Sequence, residues 1–170
     1  MSAHSEKSSL ASFFGTGGGI ASTVYGTVVV MATLTAAYAT QKDPWRLAVL
    51  VWTTAAVLWF AHLYAHGLAE SVEQRRRLSI DELADVARRE LGILLAAVVP
   101  SSALLLGALG VLKESSCVWV ALGLGLVILG AEGVRYARLE RLGRAATLGM
   151  VSANVAVGLL VVVLKVAIAH

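Results

Sequence analysis

The sequence predicts an all-α integral membrane protein, a bundle of five transmembrane helices with a short amphipathic helix before the third span. Hydrophobic residues make up 58% of the 170 residues, and charged residues only 15%, against about 25% in soluble domains. The mean hydropathy is +0.77, and a soluble fold of this size needs a larger polar surface. Every charged residue except Glu132 lies outside five long apolar stretches, so we expect the chain to face lipid.

Each apolar stretch is long enough to cross a bilayer as a helix. At about 1.5 Å per residue, about 20 residues span a hydrocarbon core of about 30 Å. Helices satisfy their own backbone groups in lipid, whereas strands of a membrane barrel are shorter and alternate in polarity. We expect one domain over 20–170, preceded by a flexible segment rich in Ser and Gly over 1–19. The predicted spans are 20–40, 47–68, 91–112, 117–134 and 145–164.

The distribution of Lys and Arg predicts the orientation of the bundle. If the chain alternates sides, ten of these residues lie on the side of the N-terminus and four on the other. The positive-inside rule then predicts a cytoplasmic N-terminus and an external C-terminus. The same asymmetry explains the pI of about 9.3 without nucleic-acid binding. Ala37-Tyr38-Ala39 matches a signal-peptidase pattern, but its leader is weakly basic, so we expect the first span to be retained.

Local signals predict where two helices begin. Asp43 and Pro44 indicate a helix start. An Asp side chain can accept a hydrogen bond from the first turn, and Pro is tolerated at the first position because the N–H that it lacks would have no partner within the helix. Ser79 and Glu82 match a capping box, so we expect a helix from about Ile80, before the third span. Its apolar and charged residues fall on different sides. This predicts an amphipathic cytoplasmic stub that continues into the span.

Three features within the spans concern helix packing. Pro100 lies near the middle of the third span and predicts a kink, for which the packing of a bent helix is a commoner explanation than a gating hinge. Asn154 on the fifth span predicts an inter-helix hydrogen bond. Small residues four apart indicate close packing between helices of the chain. These are Ser22 and Gly26, Ala103 and Gly107, and Ala145, Gly149 and Ala153.

The second span carries a polar stripe that could support chemistry, and we expect its helix to run on beyond the lipid. At 100° per residue, the stripe falls within one sector of the helix. His62 and His66 could hold a metal ion with a carboxylate from Glu70 or Glu132, or they could relay protons. A hydrogen-bonded cluster between helices is the structural alternative, as is pairing of Glu132 with Arg135. The stripe comprises Trp59, His62, His66, Glu70 and Glu73.

Two stretches of the chain resemble a group of small actinobacterial multi-spanning membrane proteins. They are WFAHLYAHGLA over Trp59–Ala69 and RRELGILLAAVVP over Arg88–Pro100. The shared features are an aromatic-rich H-x-Y-A helix, a stub of basic and acidic residues, and a span that contains proline. The resemblance implies the multi-span architecture and a bacterial cytoplasmic (inner) membrane, and it carries over no catalytic residue.

The sequence supports two hypotheses about function. Enzyme motifs, cysteine pairs and any signature of a bound cofactor are missing from it, so we expect no enzymatic activity and no cofactor. The first hypothesis is a membrane interaction or accessory protein that associates with a second copy or with another membrane protein. The alternative is a small oligomer that conducts protons or cations, or transports a substrate, through the inner-leaflet cluster of His62, His66, Glu70 and Glu132. The outer half of the spans has no Asp, Glu, Lys, Arg or His, which favours the first hypothesis.

Overall fold

The computed structural model describes residues 17–168, and the described residues form six helices and no strand. Five helices are long and apolar enough to cross a membrane, which confirms the predicted class. The third of these covers Ile80–Ala108 and consists of a charged first part and an apolar second part. Most of the predicted flexible segment lies outside the described residues. The helices are α1 (Gly17–Tyr38), α2 (Pro44–Glu73), α3 (Ile80–Arg89), α4 (Leu91–Ala108), α5 (Glu114–Leu139) and α6 (Arg144–Ile168).

Two parallel helices, α1 and α4, pack together at the centre of the bundle. A Cβ atom added at Gly26 would lie 2.8 Å from the Cα atom of Ile93, and one at Gly92 would lie 2.8 Å from the backbone nitrogen of Thr23. Only glycine allows the two backbones to approach this closely, so the small residues of α1 do form a helix contact. The helix α1 also contacts α2, α5 and α6, while α4 contacts α2 and α5. We call the close contact between α1 and α4 the α1–α4 seam.

The small residues of α6 do not pack as the sequence predicts. Ala145, Gly149 and Ala153 are all exposed, and a Cβ added at Gly149 would meet no atom within 4 Å. The helix α6 contacts α5 and α1 through a different face, on which Gly158 lies against Leu126 and Leu129 of α5. Four-residue spacing identifies a face that can pack closely, but it does not tell which face the chain itself uses. The expectation of packing within the chain is wrong for this stripe.

The predicted helix starts are confirmed. The backbone N–H of Trp45 donates to Asp43 Oδ1 at 2.9 Å, and Pro44 occupies the first turn of α2. At α3, the Ser79 N–H donates to a Glu82 carboxylate oxygen at 2.8 Å, and the Glu82 N–H donates to Ser79 Oγ at 3.3 Å. The 30-residue helix α2 is about 45 Å long, so its last turns extend beyond a hydrocarbon core, as expected.

An ion pair joins the loop before α3 to the first turn of α3, and its contribution to the stability of the helix start depends on pH. Hydrogen bonds from the Arg76 guanidinium, and then from Ser79, lower the pKa of Glu82 from 4.5 to about 2. The stabilisation of the helix start is therefore complete above pH 4.5 and is lost as the pH falls through about 2. We expect the Arg76→Gln variant to raise this pKa towards 4.5, measured from the carboxyl ¹³C shift of Glu82 in micelles. The control Arg88→Gln, whose arginine pairs with Asp85 at 2.9 Å, should leave it unchanged.

Pro100 lies within α4, and the helix continues to Ala108 beyond it. Proline has no N–H to donate to the Ala96 carbonyl, and the neighbouring serines respond differently. Ser102 Oγ donates to the Val99 carbonyl at 2.6 Å, whereas the buried Ser101 Oγ has no hydrogen-bond partner among the described residues. The hinge interpretation of Pro100 stays a prediction.

Candidate polar site at the α3–α4 junction

A buried carboxylate lies between the end of α3 and the start of α4. Glu90 is the single residue between the two helices, and only 9% of its side chain is exposed. His66 of α2 places Nδ1 2.9 Å from Glu90 Oε1. Because a charge is costly to bury alone, this contact is what makes the buried position of Glu90 tolerable.

Glu90 is not among the site residues predicted from the sequence, although the sequence contains a signal for it. Glu90 lies seven residues after Leu83 and four after Val86, which places all three on one face of α3 if the helix is extended. Val86 is buried on that face. The acidic and basic residues around Glu90 are typical of a helix that faces water, whereas its spacing from Leu83 and Val86 is typical of a residue that faces inward. A carboxylate in register with apolar residues indicates an inward-facing group.

Side chains from α1 and α2 bond to backbone carbonyls at the end of α3. Helix ends leave carbonyls without partners inside the helix, and these need other donors. Trp59 Nε1 donates to the Ala87 carbonyl at 3.1 Å, and Ser22 Oγ donates to the Arg89 carbonyl at 3.2 Å. The junction is therefore fixed from two sides, by one helix each.

The two histidines link Glu90 to α1. His62 Nδ1 lies 3.1 Å from the Leu58 carbonyl, so we assign the hydrogen to Nδ1 as donor to that oxygen. The centroid of the His62 ring lies 5.0 Å from that of Tyr25 and 5.8 Å from that of His66. A row of side chains thus runs from Tyr25 through both histidines to Glu90. We call these four residues the junction cluster.

The other two carboxylates of the predicted cluster lie elsewhere. Glu132 of α5 accepts from one nitrogen of Arg135 at 3.1 and 3.3 Å, which is the alternative pairing considered from the sequence. Glu70 accepts from Gln74 Nε2 at 3.4 Å. Among residues 17–168, neither carboxylate forms a hydrogen bond or an ion pair with either histidine. Glu90 takes the role that the sequence suggested for Glu132.

Within the described part of the chain, no three His, Cys, Asp or Glu side chains are placed to share a metal ion. The metal hypothesis for His62 and His66 therefore lacks a third ligand there.

Asn154 Nδ2 donates to the Leu129 carbonyl at 3.2 Å, so it joins α6 to α5.

The junction cluster joins a partly exposed imidazole, that of His66, to a buried carboxylate, that of Glu90. It also ties α1, α2 and the α3–α4 connection together. Comparison with protein-family models, with curated proteins and with solved structures finds no match to the chain. Function is therefore inferred from the residues of this chain alone.

Proposed function

We propose that the chain is a non-enzymatic interaction protein of the membrane, and that two copies associate through α6. The observation that supports this most is how little of α6 the rest of the chain covers. Only 6% of the 18 most apolar consecutive residues of α6 is buried, compared with 50% of the corresponding stretch in the third span. A helix with so few partners in its own chain has most of its surface available to another.

The exposed face of α6 has the composition of a helix contact. It is made of small residues that lie within one sector at 100° per residue. In lipid, helices associate through close packing and hydrogen bonds, since there is no hydrophobic drive between them. Ser152 supports this, because its hydroxyl is exposed on the apolar helix and forms no hydrogen bond with any residue of 17–168. The residues of this α6 face are Ala145, Gly149, Ser152, Ala153 and Ala156.

Disulfide cross-linking in the membrane tests the proposal. With Cys117 changed to Ala, we expect Gly149→Cys to form a covalent dimer on mild oxidation, because the two α6 faces would meet at this position. The matched control is Leu148→Cys, an exposed position at the same depth that lies about 100° around the helix from Gly149 and outside this face. A dimer from neither variant, or equally from both at the rate of random collision, would contradict association through this face.

The asymmetry of Lys and Arg supports a cytoplasmic location for the α3 end of the bundle. If the resemblance to small actinobacterial membrane proteins expected from the sequence holds, this bilayer is a bacterial cytoplasmic membrane. In this orientation the junction cluster would lie near the cytoplasmic boundary of the bilayer, where 58% of the His66 side chain is left exposed by the chain.

The second candidate function is proton conduction, and the junction cluster favours it. Its four side chains form a row of titratable groups at one end of the bundle. Beyond it, the buried polar side chains towards the other end are, among the described residues, the hydroxyls of Thr27, Thr35 and Ser101. Proton flux into liposomes that is abolished by Glu90→Gln, and unchanged by the control Glu132→Gln, would favour this candidate over the first.

A further inference from the structure

A groove runs along the outside of α2 and α3 at the end of the bundle that carries α3. Its volume is about 480 Å³. Phe60, Leu63 and Leu68 of α2 and Leu83 of α3 line its apolar part, and Arg77 lies at one end. Gly67 lets α3 approach, since an added Cβ would lie 3.2 Å from Leu83 Cδ1. We call this the Arg77 groove.

The groove crosses the boundary between hydrocarbon and headgroups. Phe60 and Leu68 belong to the apolar part of α2 and are separated by about 12 Å along the helix. Arg77 follows the end of α2, in the loop beyond the apolar segment. The exposed aromatic rings of Phe60 and Tyr64 project on the same face. An occupant must therefore be apolar over most of its length and polar at one end.

The charge at the polar end of the groove is positive. Among the described residues, Arg77 is the one charged residue that lines the groove, and no carboxylate lines it. The neighbouring Glu82 is already bound by Arg76 and by the capping box. Among residues 17–168, Arg77 has no ion-pair partner. An anionic group at the end of an apolar chain would meet an available guanidinium there.

We propose that the Arg77 groove binds a phospholipid with an anionic headgroup. An acyl chain lies along Phe60, Leu63 and Leu68, and the phosphate accepts hydrogen bonds from Arg77. Basic pockets at the end of transmembrane helices bind anionic headgroups in this way, and the bilayer supplies the lipid at high local concentration. The groove shares no residue with α6, so this proposal and the proposed association through α6 are independent and can be tested separately.

The first experiment compares lipid retention by native mass spectrometry. The purified full chain is titrated with phosphatidylglycerol or with phosphatidylcholine of the same acyl chains. We expect tighter binding of phosphatidylglycerol, reduced about five-fold by Arg77→Gln and largely kept by Arg77→Lys, as for one basic residue near an anionic surface. Arg75→Gln is the matched control, because it removes the same charge from the same loop but does not line the groove. Equal retention of the two lipids, or equal loss in both Gln variants, would overturn the proposal.

The second experiment locates the lipid on the wild-type chain and does not depend on a variant. Phosphatidylglycerol with a photoreactive acyl chain is cross-linked in vesicles, and the labelled peptides are mapped. We expect labelling concentrated on Phe60, Leu63, Tyr64 and Leu68, and competed by unlabelled phosphatidylglycerol. Labelling spread evenly over the lipid-facing helices would overturn a specific site. Labelling absent from the groove would overturn lipid as the occupant and point to a protein there.

Discussion

Replacing Gly92 by Ala is expected to destabilise the bundle by about 2–3 kcal/mol, the upper range for overpacking of a well-packed interior. The new Cβ would lie 2.7 Å from Thr23 Oγ1 and 2.8 Å from the Thr23 backbone nitrogen. A hydroxyl can rotate away, but the backbone of α1 cannot move without opening the α1–α4 seam. Gly26→Ala should act in the same direction, because its Cβ would meet the Cα atom of Ile93 at 2.8 Å.

The measurement is unfolding of the purified protein in mixed micelles by increasing SDS, followed by tryptophan fluorescence. Gly123→Ala is the matched control, since a Cβ added at that helical glycine meets no atom within 4 Å. We expect the control to keep or slightly raise the wild-type midpoint, because Ala favours a helix over Gly. A Gly92→Ala protein as stable as this control would show that the two backbones are not in close contact.

Replacing His66 by Ala is expected to cost about 2 kcal/mol, because it leaves the buried Glu90 carboxylate without its partner. Glu90→Gln should cost less, since a neutral amide needs less compensation at a buried position and His66 is half exposed. The double variant should recover part of the loss, as expected for two groups in direct contact. The free energies of unfolding of the four proteins give the coupling between the two side chains.

Glu132→Gln provides the contrast for this cycle. Its carboxylate pairs with Arg135 on the same helix, so combining it with His66→Ala should give additive effects. Coupling between His66 and Glu132, and none between His66 and Glu90, would restore the cluster predicted from the sequence and contradict the junction cluster.

Much of this fold is predictable from local properties of the sequence. The spans follow from apolar length, the start of α2 from Asp43 and Pro44, and the start of α3 from Ser79 and Glu82. Each of these depends on residues that are close in the chain, and the structure agrees with each. The predicted contact of Ser22 and Gly26 is also present, although its partner Gly92 was not identified.

The candidate site was less predictable, because it depends on which helix faces meet. The sequence identifies His62 and His66 as a stripe but does not select their carboxylate from Glu70, Glu90 and Glu132. The structure selects Glu90, since α3 packs along the end of α2 and brings the junction beside His66. The same limit explains the small residues of α6, where spacing indicates a packing face and the chain leaves it uncovered.

The most direct measurement of association through α6 is the number of copies per complex in a lipid bilayer. Single-molecule photobleaching of the labelled chain at low density should show mainly two steps for the wild type. Gly149→Ile places a branched side chain on the exposed α6 face and should give mainly one step. It should not lower the SDS midpoint, because a Cβ at position 149 meets no atom within 4 Å among the described residues. One-step bleaching of the wild-type chain, or two-step bleaching that Gly149→Ile leaves intact, would contradict association through this face.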